Sequence, residues 1–554
     1  MNRSLRLPLF NTCGGTMTGL AHHYDNEMAY THGYCDELNP LRARLPLLRA
    51  GFDSPVIHNA CELGFGFGVS TNLHAAGSTV QWYGVDADPR HAAFAQQLAH
   101  DAQTQAHLLS GRFAEFCRRD DLPDFEFIGL HGVWSWITDE DRATVATFIA
   151  RKLKPGGVLY ISYNTQPGWS AMMPVRELMH GHFMASRRHR TGGNEPQEPD
   201  EPDEHHTTER IRAAIAFAQK VVAARPGYAQ VNPAIVERVN GLSEENPRYL
   251  AHEYFARNWH PTSFLQVAEA LESSGLSYLA SADYRDHVDS INLLAAQRDL
   301  LAGIDDLALR EAARDLCMNR SFRRDYWVKQ PRALEASERL AALRAHRVML
   351  PAPQWAVSLK VRGALGETAL PDAVYRPVLQ AMADCRVTTL GAIEREVSKA
   401  GITLEQVIEA VTLLIGAGPV LNAQDETQIR LAQGSAGRLN AVVCERAYGS
   451  HALQFLVSPV SGSGVTIPHV AQLFLLAAMR GFKEPRQWAE FAHSVLSGMA
   501  EGNGAADMPN PPTPPDHDLV EKATRFADVY VPVLKKLQMG EIVDSIRTRV
   551  GGER

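Results

Sequence analysis

Three glycines at alternate positions, Gly64, Gly66 and Gly68, constrain this chain more than any other feature. They lie directly behind the apolar run VIHNACEL (56–63) and ahead of a helical pattern. Glycine is needed where backbone takes a positive φ, or where another group must come close with no Cβ in the way. A glycine loop between a strand and a helix therefore predicts the first turn of a βα unit, where α/β sheets bind ligands. The following residues repeat the alternation. VQWYGVD (80–86), HLLS (107–110), FEFIGLH (125–131) and GVLYISY (157–163) read as strands, with a helix from about Pro89 to His100. Before the last strand, Thr138 and Asp141 have capping spacing. Val145, Phe148, Ile149 and Leu153 then share a helical face until Pro155-Gly156-Gly157. This order predicts an α/β fold, Rossmann-like, with a mostly parallel sheet.

The spacing of the loop narrows its chemistry. A dinucleotide fingerprint would need glycine at position 69 or 71, which hold Val69 and Thr71, and no G-K-[ST] follows for a P-loop. Asp86 ends the second strand, where a carboxylate is placed to accept both ribose hydroxyls of an adenosine cofactor. Together with the acidic Glu62 ahead of the loop, this fits S-adenosylmethionine, which carries ribose and a sulfonium but no phosphate. The expected cofactor contacts are Glu62, Gly64, Phe65, Gly66 and Gly68, then Asp86 with its neighbour Ala87.

At roughly 150 residues per domain, 554 residues predict three or four domains. Lys+Arg number 55 and Asp+Glu 63, a net charge of −8 that argues against a nucleic-acid binder. The seven cysteines are scattered without C-x-x-C spacing, so neither a disulfide framework nor a metal site is expected. Apolar stretches such as VAQLFLLAAM (470–479) are half the length of a membrane span, and a cytoplasmic protein is the default. Residues 1–186 are expected to form the cofactor-binding domain. A disordered acidic and proline-rich loop (187–206) follows, then a helical region (207–350). A module compatible with a winged helix (351–425) and a helical C-terminal region (426–554) complete the chain.

ACELGFGFGVSTNLHA (60–75), QWYGVDADP (81–89), FIGLHGVWSWI (127–137) and YNTQPGW (163–169) resemble class I methyltransferases that carry a methyltransferase regulatory domain. NPRYLAHEYFARNWHPTSF (246–264), SFRRDYW (321–327), LNAVVCERA (439–447) and SPVSGSGV (458–465) extend the resemblance over most of the chain. Some members, or close relatives, are lysine methyltransferases acting on outer-membrane proteins. The resemblance thus implies a protein acceptor, in an enzyme compatible with a homodimer. It also implies that the N-terminal stretch HHYDNEMAYTHGY (22–34) covers the cofactor, with Tyr24, Tyr30 and Tyr34 read either as closing over its methionine end or as aromatics that anchor an N-terminal helix to the sheet.

Methyl transfer is an in-line displacement that needs alignment and dryness more than an acid–base triad. The acceptor is expected over the ends of the fourth and fifth strands, among His131, Trp134, Trp136, Tyr163, Asn164 and Trp169. His131 is read either as a proton acceptor or as a wall of the cofactor pocket. Trp134 and Trp136 are read as an aromatic channel for a cationic stem or as core, and Tyr163 as a phenol that orients an amine. Phe113, followed by Ala114, is expected to stack on the adenine. Two other functions compete: O- or N-methylation of a glycan or metabolite, and an idle methyltransferase-like scaffold that binds a partner.

Overall fold

The computed structural model describes residues 32–188, 204–256, 258–500 and 517–539. Tyr24, Tyr30, most of the 187–206 segment and the irregular stretch 502–516 lie outside them. Seven strands form the central sheet: β1 (Asn59–Leu63), β2 (Gln81–Asp86), β3 (Ala106–Ser110), β4 (Phe125–Leu130), β5 (Leu153–Asn164), β6 (Leu276–Ser281) and β7 (Phe322–Lys329). Their order is β3-β2-β1-β4-β5-β7-β6. The first five run parallel, and β7 pairs antiparallel with both β5 and β6. The strand order reverses between β1 and β4, which opens a crevice at their C-terminal ends.

β4 is buried at all six positions because helices cover both faces of the sheet. On one face Trp82, Phe127, Tyr160 and Tyr326 pack against Leu38, Ala43 and Leu47 of the N-terminal segment and of helix α1 (Arg44–Ala50). Helices α2 (Val69–Gly77) and α3 (Pro89–Ala102) follow β1 and β2, and the short α4 (Phe113–Phe116) follows β3. On the other face Ile161, Tyr163 and Trp327 meet Val145, Phe148 and Ile149 of α5 (Asp139–Lys152). The Thr138 side chain caps α5 by accepting from the Asp141 N–H.

Between β5 and β6 a helical layer rises over the strand ends. It consists of α6 (Met173–Arg188), α7 (Glu204–Ala223), α8 (Gly227–Val231), α9 (Ala234–Gly241) and α10 (Pro247–Phe255). Then α11 (Phe264–Glu272), opened by a Ser263/Gln266 capping box, returns the chain to the sheet. The expected boundary at residue 186 is therefore corrected. The cofactor sheet is interrupted, not finished, there, and β6 and β7 come from the stretch read as helical. The sequence hides them because LSYLAS is short and follows a helical pattern directly, while FRRDYWVK carries Arg323, Arg324, Asp325 and Lys329.

Downstream, helices Asp372–Gln380, Leu390–Val397 and Leu404–Gly416 pack around a small sheet of Arg347–Met349, Thr388–Thr389 and Leu421–Asn422. Among the described residues the C-terminal region is helical apart from the hairpin Phe455–Ser458/Ser463–Thr466, and it leans on the cofactor half. Val457, Val460 and Leu473 share a core with Val69, Leu73 and Ala76 of α2. A Cβ on Gly77 would stand 2.7 Å from Val457 Cγ2, so glycine is what permits this approach. Among the described residues no helix is long and apolar enough to cross a membrane.

Candidate active site

The glycine loop turns as its residue types demand. Gly64, Gly66 and Gly68 have φ of +81°, +56° and +62°, a region that costs L side chains energy. Their surroundings differ. A Cβ on Gly68 would lie 2.6 Å from Ala95 Cβ, so this glycine lets α2 start hard against α3. A Cβ on Gly66 would meet nothing within 4 Å, so the space beside it is open. Phe65 points the other way, into a small core with Ala92, Ala95 and Leu108, and only its backbone belongs to the loop.

Asp86 sits behind this loop, nearly fully buried. Its carboxylate accepts from Gly66 N–H at 2.7 Å and Asp88 N–H at 3.0 Å, with His91 Nδ1 at 3.2 Å. These partners fix the carboxylate's orientation and use much of its roughly four-site acceptor capacity. Two ribose hydroxyls would therefore share oxygens with them or displace His91, a residue the sequence reading missed. Above it, Phe67 lies 4.1 Å from the His32 ring and 4.4 Å from that of His91. At the end of β1, Glu62 accepts from the Thr71 hydroxyl, and burial pushes its carboxyl up to about 8. A cationic ligand nearby would favour its ionised form.

On the acceptor side, strand alternation sorts the candidates. Tyr160 and Ser162 point to the face that carries His131, whereas Ile161 and Tyr163 point to the opposite core. Tyr163 is thus corrected. It donates to Asp325 Oδ2 at 2.9 Å inside a buried network, and burial and that carboxylate push its phenol up. Trp136 is lodged in the helical layer among Trp169, Met172 and Ile215, so neither it nor Trp169 faces an acceptor. Trp134 and Phe113 are also core, packed with Leu63, Val85 and Leu130. The stacking expected of Phe113 is corrected, since its ring is 5% exposed. Ala87 and Ala114 are half-buried beside these positions. Tyr34 bonds Asp36 Oδ1 (2.9 Å) and Gly464 N–H (2.8 Å), tying the N-terminal segment to the C-terminal hairpin.

His131 follows β4. Its Nδ1 lies 2.8 Å from Tyr160 Oη, 3.1 Å from Cys35 Sγ and 3.3 Å from Ser162 Oγ. Burial and Arg324 push its imidazole down to about 3, so it is neutral near pH 7. Hydroxyl and thiol groups surround Nδ1, and Nε2 is buried without a partner among the described residues; with Nδ1 accepting, the proton sits on Nε2. A pKa lowered this far disfavours protonation of His131, and in that tautomer its Nε2–H is left to donate to a ligand. The space beside Gly66 and this unsatisfied N–H both fit a ligand in the crevice.

One strand turn beyond Ser162, Asn164 ends β5. Its Nδ2 donates to Glu253 Oε1 of α10 at 2.9 Å, and its own Oδ1 is buried without a partner. Burial pushes Glu253 up to about 7. No local pattern marks Glu253, which lies 89 residues from Asn164.

Comparison with known proteins agrees with this architecture. A family model described as a methyltransferase domain matches residues 60–157, and one described as a predicted methyltransferase regulatory domain matches residues 246–329. The second stretch contains α10, α11, β6 and β7, so it supplies two strands of the central sheet. The uncharacterized protein sll1526 of Synechocystis is 36% identical over 479 residues, covering 86% of this chain and 90% of its own. The uncharacterized protein RP789 of Rickettsia prowazekii is 23% identical over 321 residues, 56% of this chain and 53% of its own. The solved structure of PKMT2 from Rickettsia typhi in complex with AdoHcy matches with a TM-score of 0.62 at 18% identity. The match spans 93% of this chain and 99% of that one, so the shared fold extends well beyond the sheet.

Proposed function

The chain belongs to the class I S-adenosylmethionine-dependent methyltransferases that carry a methyltransferase regulatory domain, and from that premise we propose that it methylates lysine side chains of a protein. When bound, S-adenosylmethionine supplies a methyl group activated by a positive sulfur. The residues that would hold it are those of the crevice. The backbone of Gly64 to Gly68 lines the loop, Asp86 accepts from the ribose, and Glu62 places a carboxylate near the cationic end. His131 Nε2 offers a hydrogen bond. Phe65, Ala87, Phe113, Ala114 and Trp134 serve as walls behind these groups, and Tyr34 ties the chain next to them to the C-terminal hairpin.

The observation that carries the lysine reading is the fold shared with PKMT2 of Rickettsia typhi along nearly the whole chain, helical layer and C-terminal region included. A metabolite needs one pocket, whereas recognising a protein takes a surface of ~800 Å² per partner. The covering helical layer and the C-terminal region offer such a surface. Tritiated S-adenosylmethionine and a lysate of the source cell test the proposal, with label sized on a gel and hydrolysed to amino acids. Methyl-lysine in a protein band is the expected result. Dialysable label would favour the metabolite or glycan alternative. No transfer, together with no binding of S-adenosylhomocysteine in calorimetry, would favour the scaffold.

A further inference from the structure

The two parallel strands nearest the crevice end in a chain of buried polar groups. Ser162 Oγ accepts from Gly132 N–H at 2.7 Å and lies 3.3 Å from His131 Nδ1. Ser135 Oγ accepts from Asn164 N–H at 2.9 Å, so β5 is tied to the loop after β4 as far as its last residue. Asn164 then reaches Glu253. Glu253 Oε1 is taken up by that bond, and the Asn164 carbonyl oxygen has no partner. Both side chains are only 2% exposed. An unfilled acceptor beside a buried carboxylate costs folding energy unless a donor fills it in use. A donor of N–H bonds that carries positive charge satisfies both groups at once.

We propose that Asn164 and Glu253 form the site for the acceptor's ε-amino group, Asn164 Oδ1 accepting one N–H and the Glu253 carboxylate removing the proton that must leave. The inference rests on the lysine reading above. An N–H bond of the ammonium breaks, and its proton forms an O–H bond on Glu253. The nitrogen keeps the electron pair and forms the N–C bond to the methyl carbon as the C–S pair returns to sulfur. The proton on Glu253 later passes to water. The charged groups acting on Glu253 are Arg176 of α6 and Arg238 of α9, which favour its ionised form. From β5 it meets the neutral Asn164, and α7 brings apolar Ile211 and Ile215 to the same core. Burial outweighs the two arginines and pushes the carboxyl up to about 7, the range that suits a general base near neutral pH. On this view residues 246–329 complete the catalytic centre as well as the sheet.

The alternative is that the pair only pins α10 to the sheet. Glu253→Gln separates the two, because the Gln carbonyl still accepts from Asn164 while the base is lost. With tritiated S-adenosylmethionine and the lysate protein band as probe, E253Q should lower turnover ~10²–10³-fold. It should also lose the rise in rate with pH through about 7 that a Glu253 base predicts for the wild-type chain. Affinity for S-adenosylhomocysteine and the thermal midpoint, measured on the same samples, should change little. Glu253→Asp should recover part of the rate and the pH limb, and Asn164→Ala should raise the acceptor KM. If wild type yields methyl-lysine and E253Q keeps its rate and pH profile, the inference is overturned alone. If the wild-type label is not on lysine, the lysine reading falls and takes the inference with it.

Discussion

The cofactor side and the acceptor side of this crevice are built at different chain distances. Thr71 meets Glu62 nine residues away, and Gly66 meets Asp86 twenty residues away. At the ends of β4 and β5, Asn164 meets Glu253 across 89 residues and His131 meets Cys35 across 96, and in the core behind them Tyr163 meets Asp325 across 162. The first set is dictated by one βα unit and its neighbour strand. The second exists only once the N-terminal segment, the helical layer and the last two strands have folded against the parallel strands. A motif with its own backbone geometry can be recognised piecemeal, whereas a site assembled from distant helices leaves no such trace.

The most drastic way to break that comparison is to cut the chain at Ser186. If the cofactor side were self-sufficient, the fragment would fold and bind S-adenosylhomocysteine. We expect it to do neither, because β5 would lose its β7 partner and α2 would lose the C-terminal core against which it packs. Circular dichroism and calorimetry decide the matter, and a folded, binding fragment would show that the cofactor side is independent. Next in size, Trp136→Ala should cost ~3–5 kcal/mol of stability, as a buried aromatic does on truncation. Urea unfolding measures it. A large fall in turnover at unchanged stability would return Trp136 to the acceptor channel.

Two glycines sharpen the comparison within the loop itself. Gly68→Ala should destabilise by ~2–3 kcal/mol, because both its positive φ and the Ala95 contact oppose a Cβ. Gly66→Val should lose S-adenosylhomocysteine binding, and its penalty in thermal unfolding should come from the φ of +56° alone, because its Cβ enters open space. Asp86→Ala should weaken the same ligand by ~2–4 kcal/mol through lost charge-assisted bonds. Unchanged affinity in both Gly66→Val and Asp86→Ala would remove the crevice from the cofactor's path.

The smallest expected effect concerns Glu62. Its carboxyl is raised in the folded protein from 4.5 to about 8, so the folded state resists its ionisation. The unfolded chain ionises first, and stability is therefore lost as pH rises from about 4.5 through about 8. Between pH 6 and 9 the wild-type chain should lose ~2 kcal/mol more than Glu62→Gln does. Parallel thermal unfolding curves in the two chains would place Glu62 in a wetter environment than the structure gives it.

Much of the crevice was legible before any coordinates. β1 to β5 and helices α3 and α5 fall close to where periodicity and capping put them, since each is a local pattern of apolar spacing and end residues. Asp86 was found because it ends a strand at a fixed distance from the glycine loop. Tyr163 was misjudged, although the two-residue alternation of β5 already put it on the face opposite Ser162. For Trp134 and Trp136 the sequence leaves channel and core both open, and for Phe113 it favours stacking. Large aromatic rings fill a core as readily as they line a channel, and only packing tells the two apart.

The sequence by itself determined the parallel half of the sheet, the glycine turn and the cofactor class. These follow from backbone φ, strand and helix periods and one carboxylate at a strand end, all set within about thirty residues. Tertiary structure alone decided that β6 and β7 finish the sheet after a helical layer. It also decided that the C-terminal region braces α2, that His131 is neutral, and that Glu253 lies against Asn164. Burial sets the charge of His131 and Glu253, and burial is a property of everything packed around a residue, which no local run of residues encodes.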